Sequence, residues 1–425
     1  MRLLIKNGRI INPADRFDAI ADLLVEDGRV KRIATGIMDS EAGCIKDAEG
    51  CWVMPGFIDM HVHLRDPGQT DKETIESGCD AAAAGGFTTI VAMANTSPVV
   101  DNPITYQYVI DKALNYGKVR VMQAGSITKG LKGEELSDIE GLMSAGCFIF
   151  SEDGRSVMDS ALMRRAMEII RENNGIILDH CEDKALVEGG VINSSEAGRL
   201  GLKGISNEVE DIIAVRDIML ARETGVSLHL CHCSTAGARE YLALAKEKGI
   251  HVSGEVCPHH FTLNASSIKS ITETEYKMNP PLRTEEDVMA LREGLRDGTF
   301  DCISTDHAPH TSEEKKKDFA RAPFGIVGLE TAAALTNTIL VRGGYLTPMG
   351  MAEKMSCNPA RILGISGGDI RIGSWADIAV FDPGRKWKVD PSEFKSKGRN
   401  TPFEGWDLYG QVVMTVRNGR ITSER

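Results

Sequence analysis

The sequence lacks any hydrophobic run long enough to span a bilayer, so it predicts no transmembrane helix. Residues 1–8 turn polar after a short apolar stretch and do not have the pattern of a secretory signal peptide. Basic residues are in deficit, with 49 Lys and Arg against 61 Asp and Glu and a formal net charge of -12. Such a chain has no basic footprint for nucleic acid. We therefore expect a cytoplasmic protein that binds neither nucleic acid nor a membrane.

Cysteines paired at disulfide or zinc-finger spacing are also missing. The 10 cysteines are scattered through apolar segments, which indicates reduced thiols rather than a disulfide framework. Segment 231–233 places two cysteines around His232, but no second pair at finger spacing accompanies them. We interpret these two cysteines as packing residues that flank a histidine.

The chain has 425 residues, which suits a large domain with a smaller accessory domain. Its two ends resemble each other, because 4–11 and 415–422 both read as a strand, an Asn-Gly turn and a strand. Asp27-Gly28 is a third turn of this kind, and 375–381 predicts another strand. The simplest interpretation is a small β-sandwich domain built from both termini, with unrelated surface hairpins as the alternative. The predicted boundaries of this domain are 1–52 and 366–425.

The middle of the chain alternates short apolar runs with helical patterns, of which 207–223 and 288–296 are the clearest. This α/β alternation is typical of a parallel sheet, and eight such strands can close into a (β/α)8 TIM barrel over residues 53–365. A doubly wound open sheet is the alternative, but no glycine-rich dinucleotide fingerprint follows the first strand. The predicted strands are 57–62, 87–94, 119–124, 147–150, 176–179, 226–231, 252–256 and 301–305.

Histidine or carboxylate side chains follow five of the predicted strands. Active sites of this barrel form at the carboxyl ends of the strands, so these groups are expected to meet. His61 and His63 are two residues apart and point to the same face of a strand. Such a pair is a weak signal by itself. Together with His180, His232 and Asp306 it predicts a zinc-like metal site at the mouth of the barrel.

Two motifs, at 61–68 and 306–310, resemble the characteristic motifs of dihydroorotases in the amidohydrolase superfamily. Segments 277–283, 322–325 and 358–361 resemble the same family. The resemblance covers essentially the whole chain. It implies a (β/α)8 barrel and the reversible, zinc-dependent cyclisation of N-carbamoyl-L-aspartate to L-dihydroorotate in de novo pyrimidine biosynthesis.

The resemblance implies two metal ions and one proton carrier. The family pattern assigns His61, His63 and Asp306 to one ion. It assigns His180 and His232 to the second. Asp306 is also the expected catalytic group, which takes a proton from the attacking nucleophile and delivers it to the leaving ring nitrogen.

The group that bridges the two ions departs from the usual pattern. Many relatives use a carboxylated lysine at the end of strand four, but 147–153 contains no lysine. Asp153 matches the aspartate found there in the class of dihydroorotases that lacks the lysine. Glu152 is the local competitor, and strand alternation does not choose between them. We expect two zinc ions per chain, with Asp153 as the bridge and the second site weakened by its shorter side chain.

The resemblance also implies the substrate contacts. Arg65 lies two residues beyond His63, on the same side of the chain, and can form a bidentate pair with the substrate carboxylate. A surface salt bridge is the alternative for Arg65. Loop capping is the alternative for Asn95 and Asn279, and 93–96 lacks the proline that the family usually has there. The implied contacts are His63, Arg65, Asn95, Asn279, His310, and the backbone of Phe324 and Gly325.

Two other functions compete with this interpretation. A hydantoinase or allantoinase acts on a neutral ring, which gives Arg65 no partner, and the hydantoinase type carries the lysine that is missing here. A non-catalytic partner of aspartate carbamoyltransferase is expected to have lost metal ligands, which are all present. A complex with aspartate carbamoyltransferase is compatible with catalysis, and a homodimer is the default assembly. The charged run 311–321 is either a solvated loop or a mobile lid.

Overall fold

The computed structural model describes residues 2–425. In chain order, the strands are β1 (Arg2–Asn12), β2 (Phe17–Glu26), β3 (Arg29–Ala34), β4 (Cys44–Asp47), β5 (Trp52–Pro55), β6 (Phe57–Val62), β7 (Phe87–Ala92), β8 (Arg120–Gln123), β9 (Gly125–Ser126), β10 (Ile149–Ser151), β11 (Ile176–Asp179), β12 (Ile192–Asn193), β13 (Gly204–Ile205), β14 (Ser227–Leu230), β15 (Val252–Val256), β16 (Cys302–Ile303), β17 (Ile378–Lys388), β18 (Asp407–Arg417) and β19 (Arg420–Glu424).

Helices occupy most of the segments between the central strands. They are α1 (Ile75–Ala84), α2 (Pro103–Tyr116), α3 (Ile139–Ser144), α4 (Ser160–Glu172), α5 (Lys184–Val187), α6 (Ser194–Leu200), α7 (Glu208–Thr224), α8 (Ala236–Glu247), α9 (Pro258–Thr262), α10 (Glu285–Asp297), α11 (Ser312–Lys315), α12 (Ala332–Leu335), α13 (Pro348–Ala352) and α14 (Asn358–Leu363). Short 3-10 turns lie at Asp39–Glu41, Lys129–Leu131, Ala265–Ser267, Thr274–Tyr276 and Pro391–Glu393, and π-helical turns at Thr336–Val341 and Glu353–Cys357. Within residues 2–425, none of the helices has the length and apolar character needed to cross a membrane.

Both ends of the chain build one β-domain, as the sequence predicts, and its strands form a single mixed sheet. Its strand order is β19-β18-β17-β5-β1-β2-β3, and β4 pairs with β1. Buried apolar side chains from the two ends, including Leu3, Val53, Ile378 and Val416, pack in one cluster. The domain boundaries themselves stay predictions, and β5 runs across the one expected between residues 52 and 53.

The predicted turns at Asp27-Gly28 and Asn418-Gly419 are confirmed, since each joins two antiparallel strands. The turn predicted at Asn7-Gly8 is wrong, because β1 continues through it. Asn7 takes a left-handed backbone (φ 59°), and the pairing with β2 shifts register between Ile5 and Gly8. The Asn7 N–H donates to Asp22 Oδ1 at 2.9 Å, which stabilises a bulge instead of a turn.

The strand predicted at 375–381 also has different bounds. β17 begins at Ile378 and continues to Lys388, and its pairing with β18 shifts register between Asp382 and Lys386. An Asp-Pro-Gly sequence that predicts a turn therefore lies inside an irregular strand. The strand continues through this sequence because a bulge accommodates residues that cannot pair.

The central strands form the predicted barrel. The sets β6-β7-β8 and β9-β10-β11-β14-β15-β16 are each parallel throughout, and β8 and β9 are two parts of one strand interrupted at Ala124. The ring closes where Val62 pairs in parallel with His307 and the His63 N–H donates to the His307 carbonyl at 2.8 Å. Three predicted strands, 57–62, 176–179 and 252–256, have the observed bounds.

The eighth strand is shorter than predicted, because regular pairing stops at Ile303. Beyond it, the Asp59 carboxylate of β6 replaces the strand pairing. It accepts hydrogen bonds from the Thr305 N–H at 3.1 Å, from Thr305 Oγ1 at 2.6 Å and from the His61 N–H at 3.1 Å. This carboxylate therefore holds the backbone just before Asp306 beside His61.

Replacing Gly8 by alanine is expected to lower the free energy of unfolding, because the added Cβ would lie 2.4 Å from Val53 Cγ2. Overpacking of this kind typically costs about 1–3 kcal/mol. Gly43→Ala is the matched control, since Gly43 is exposed and its nearest contact would be Arg2 O at 3.9 Å. Thermal unfolding should show a lower midpoint for Gly8→Ala alone. Equal midpoints for the two variants would contradict this packing.

Candidate metal centre and substrate cavity

A cavity of about 360 Å³ opens at the carboxyl ends of the barrel strands. Ten of the twelve residues predicted as site residues line it. The other two, His61 and His232, are buried at 0% and 2% exposure beneath it. The lining residues are His63, Arg65, Asn95, Asp153, Gly154, His180, Asn279, Asp306, Ala308, His310, Pro323, Phe324 and Gly325.

The first group of potential metal ligands comes from the first and last strands of the barrel. His61 and His63 come from the end of β6, and Asp306 follows β16. Asp306 Oδ1 lies 3.0 Å from His63 Nε2 and 3.6 Å from His61 Nε2. One ligand atom from each of the three side chains lies within 4.8 Å of the others, which is close enough for one ion.

Asp153 lies between this group and two further histidines. Its Oδ1 is 3.2 Å from His61 Nε2, 3.3 Å from His180 Nδ1 and 3.7 Å from His232 Nε2. His180 Nδ1 and His232 Nε2 are 2.9 Å apart. A single carboxylate therefore contacts histidines from three strand ends.

Glu152 points away from the histidines, and the role of Asp153 as the bridge stays a prediction. It accepts hydrogen bonds from the Ile127 N–H at 3.1 Å and the Thr128 N–H at 2.9 Å, and it also binds the Thr128 hydroxyl. Burial raises the pKa of Glu152 to about 7, against these hydrogen bonds. Its side chain stabilises the neighbouring loop rather than facing the histidines.

The site holds charge in a buried setting. Burial acts to lower the pKa of His61, but the interactions with Asp153 and Cys231 together raise that pKa well above its usual value. His61 correspondingly lowers the pKa of Asp153, against the effect of burial. Burial also acts to lower the pKa of His180, but the hydrogen bonds and charges of Asp153 and Glu182 together raise it to about 9. Both ring nitrogens of His61 are buried without a hydrogen-bond partner.

Three residues at the site have a left-handed backbone that non-glycine residues rarely adopt. The φ angles are 58° at Arg65, 34° at His232 and 47° at Asp306. Each follows the end of a barrel strand, so the backbone leaves the regular strand path where the side chain turns toward the cavity. Backbone strain of this kind concentrates at functional sites.

Asn95 connects the metal-binding side chains to one another. Its Oδ1 lies 2.9 Å from His63 Nδ1, and its Nδ2 donates to Asp153 Oδ2 at 2.9 Å. The bond to Nδ1 leaves His63 Nε2 directed at Asp306. Outer groups that orient a ligating imidazole in this way are common around protein metal sites.

The other predicted substrate residues surround the open side of the cavity. Arg65 Nε donates to Pro309 O at 3.3 Å, and its Nη2 lies 3.4 Å from His310 Nε2. His310 Nε2 donates to Phe324 O at 2.8 Å. Asn279 Nδ2 donates to Glu182 Oε1 at 2.9 Å.

Two carboxylates beside the histidines were not predicted. Glu255 Oε1 lies 3.4 Å from His61 Nδ1, and Glu182 Oε2 lies 3.5 Å from His180 Nε2. Strand periodicity carries a signal for Glu182, which is two residues from His180. Glu255 lies within β15, and only the packing of β15 beside β14 and β16 brings it to the cluster.

Known proteins resemble the chain along its full length. The family profile described as "Dihydro-orotase-like" matches residues 50–238. The dihydroorotase of Thermoanaerobacter sp. (strain X514) is 47% identical over 422 residues, which cover 99% of this chain and 97% of the relative. The chain belongs to the dihydroorotase family. The dihydroorotase of Geobacter metallireducens is 46% identical and covers 100% of both chains.

Solved structures place the dihydroorotase-family chain among barrel amidohydrolases. The L-hydantoinase of Arthrobacter aurescens superposes with a TM-score of 0.88 at 27% identity, over 99% of this chain and 96% of that one. The D-hydantoinase of Thermus sp. gives a TM-score of 0.86 at 25% identity, over 99% and 95%. The predicted fold is thereby confirmed, including the sheet domain formed by both termini. Membership of this family implies metal dependence, and the clustered histidines and carboxylates could hold the metal.

Asp153→Ala is expected to reduce the divalent metal bound by the purified chain, because it removes the carboxylate that contacts three histidines. Glu152→Gln is the control, since it changes the adjacent buried carboxylate that faces Thr128. Elemental analysis measures the metal, and circular dichroism checks that both variants are folded. Equal metal loss in the two folded variants would contradict a role for Asp153 in metal binding.

Proposed function

We propose that the chain is a dihydroorotase, which interconverts L-dihydroorotate and N-carbamoyl-L-aspartate in de novo pyrimidine biosynthesis. The proposal rests on one observation, that a single cavity combines a buried histidine–carboxylate cluster with an arginine that has no carboxylate partner. Within residues 2–425, no Asp or Glu oxygen lies within 4.0 Å of the Arg65 side-chain nitrogens. Full-length relatives named dihydroorotase support the proposal.

The donor set fits two zinc ions. Imidazole and carboxylate groups are common zinc ligands, and the unpartnered ring nitrogens of His61 are available for a metal because buried polar atoms are normally paired. A bound zinc ion lowers the pKa of water to about 7 and polarises a carbonyl group. The proposed ligands are His61, His63 and Asp306 for one ion, His180 and His232 for the other, and Asp153 between them.

Asp306 is the proposed proton carrier. Burial acts to raise the pKa of Asp306, but the hydrogen bond with His63 and the charges of His61, His63 and His232 together hold that pKa below its usual value. An ionised carboxylate can accept a proton. In hydrolysis, Asp306 takes a proton from the attacking water as the water oxygen bonds to the ring carbonyl carbon. It then delivers this proton to the ring nitrogen as the C–N bond breaks. Ring closure is the reverse path.

Arg65 is proposed to bind the substrate carboxylate. A guanidinium presents a planar pair of donors that matches a carboxylate, and Arg65 faces the same cavity as Asp306. The remaining proposed substrate contacts are His63, Asn95, Asn279, His310, and the backbone of Phe324 and Gly325.

Hydantoin hydrolysis is the second candidate, because the chain superposes closely on hydantoinases. An unsubstituted hydantoin ring carries no carboxylate, so it would leave the Arg65 guanidinium without an anionic partner. Desolvating a charged group without a partner is costly. The unpaired arginine therefore favours dihydroorotate.

The proposal extends to the assembly and location of the protein. Two-fold homodimers are the commonest soluble oligomers, and we propose that the enzyme is a homodimer that acts in the cytoplasm. Association with aspartate carbamoyltransferase is an additional proposal from the family. The complete set of histidine and aspartate ligands supports a catalytic chain over a scaffold that has lost its metal site.

The wild-type chain is expected to hydrolyse L-dihydroorotate and to contain close to two zinc ions. Asp306→Ala should abolish turnover, because both the proton carrier and a metal ligand are removed. Absorbance of the dihydroorotate ring and elemental analysis of the same sample measure both quantities, with hydantoin as the comparison substrate. Faster turnover of hydantoin, or retained activity in Asp306→Ala, would overturn the proposed function.

Arg65→Met is expected to raise KM for dihydroorotate on the order of ten- to a hundredfold, because a charged hydrogen-bond pair with the substrate is lost. Arg155→Met is the control, since Arg155 is exposed and does not line the cavity. Initial rates over a range of substrate concentrations give KM for each variant. An unchanged KM in Arg65→Met would rule out its pairing with the substrate.

A further inference from the structure

Hydrogen bonds hold both the carbonyl and the N–H group of Gly325. Its carbonyl accepts a hydrogen bond from Lys315 Nζ at 3.1 Å and one from Asn400 Nδ2 at 3.0 Å. Its N–H donates to the Lys277 carbonyl at 2.9 Å. Gly325 has φ 129°, and an added Cβ would lie 2.6 Å from Ala308 Cβ. The backbone that lines the cavity here has no freedom to shift by itself.

Lys315 is buried, although it lies in a charged run that predicts a solvated segment. Its side chain is 2% exposed, whereas Lys316 and Lys317 are exposed. Its Nζ donates to Lys277 O at 3.3 Å and to Pro323 O at 3.2 Å, in addition to Gly325 O. No carboxylate within residues 2–425 lies within 4.0 Å of this ammonium. Burying a charge without a counter-ion is costly, so three carbonyls are gathered to solvate it.

Asn400 reaches the same carbonyl from the other end of the chain. It lies outside the barrel strands, between β17 and β18, and is 3% exposed. Its Oδ1 accepts from the His310 N–H at 3.0 Å, and its Nδ2 donates to Ala308 O at 3.0 Å as well as to Gly325 O. Asn400 thus ties the segment that follows β16 to the segment that carries Gly325.

We propose that Lys315 and Asn400 are positioning residues for substrate binding, which act together by fixing the Gly325 carbonyl. Fixing it holds the Phe324–Gly325 backbone against His310, whose Nε2 donates to Phe324 O. Groups held in place before binding need no ordering when the substrate arrives, which improves affinity. The inference rests on the proposed function, because these groups line the proposed substrate side of the cavity. Neither residue touches the reacting atoms.

In the structure, part of the charged run 311–321 packs on the barrel, because the Lys315 ammonium of α11 is buried against backbone carbonyls. The lid and the solvated loop both stay predictions. Lys277 anchors the following segment, since its Nζ donates to Phe319 O at 2.6 Å and Ala320 O at 3.1 Å. The two lysines hold 315–325 as one rigid wall of the cavity.

The kinetic test compares Lys315→Met and Asn400→Ala with Lys354→Met in the metal-loaded, full-length enzyme. Lys354 is the matched control, because it is also a buried lysine that donates to a backbone carbonyl, that of Phe300, away from the cavity. KM for dihydroorotate should rise about tenfold in the first two variants, with kcat little changed and Lys354→Met like wild type. A rise in KM that is equal in all three variants, or no rise in the first two, overturns the proposal.

Hydrogen exchange tests the same positioning without turnover. The amides of His310 and Gly325 should exchange faster in Lys315→Met and Asn400→Ala than in wild type, and Lys354→Met should leave them unchanged. If the wild-type chain does not hydrolyse dihydroorotate, the proposed function fails while this measurement still decides the positioning. Unchanged protection of these amides in a folded variant overturns the inference. Because two variants are tested, the experiment still gives an answer if one of them does not fold.

Discussion

The closure of the parallel barrel between its first and last strands is the constraint on which the site depends. His61 and His63 leave the first strand, and Asp306 leaves the last, so one metal group exists only if these two ends meet. Asp59 links the first and last strands, because its carboxylate accepts hydrogen bonds from the N–H groups of His61 and Thr305. Burial raises the pKa of Asp59 to about 7, which shows how far this carboxylate has been removed from water. A polar side chain in the barrel wall thus replaces the strand pairing that ends at Ile303.

Charge is concentrated beneath the cavity and is balanced there. Asp153 contacts histidines from three strand ends, and each histidine acts to keep the carboxylate ionised in spite of its burial. Isolated buried charges are very costly, so the cluster is stable only as a set or with bound metal. Arg65 differs from this cluster because its positive charge is not balanced by a carboxylate of the protein. It faces the cavity, where it suits an anionic group of a substrate.

The outer wall of the cavity depends on segments that lie far apart in the chain. Lys315 follows the last barrel strand, whereas Asn400 comes from the part that returns to the terminal sheet, and both bind the Gly325 carbonyl. The segment between β17 and β18, which carries Asn400, therefore helps to set the shape of the cavity.

Local periodicity and turn chemistry in the sequence determined the elements of this protein: the alternation that makes a barrel, the His-x-His pair on one strand face, and the turns at Asp27-Gly28 and Asn418-Gly419. Tertiary structure decided the rest. Asn7-Gly8 is a bulge because Asp22 and Val53 surround it, Asp153 faces the histidines because Glu152 is bound by Thr128, and Lys315 is buried because three carbonyls converge on it. The physical reason is that periodicity specifies which face of an element a residue occupies. It carries no information about the partners that distant segments bring to that face, and those partners set burial, pKa and direction.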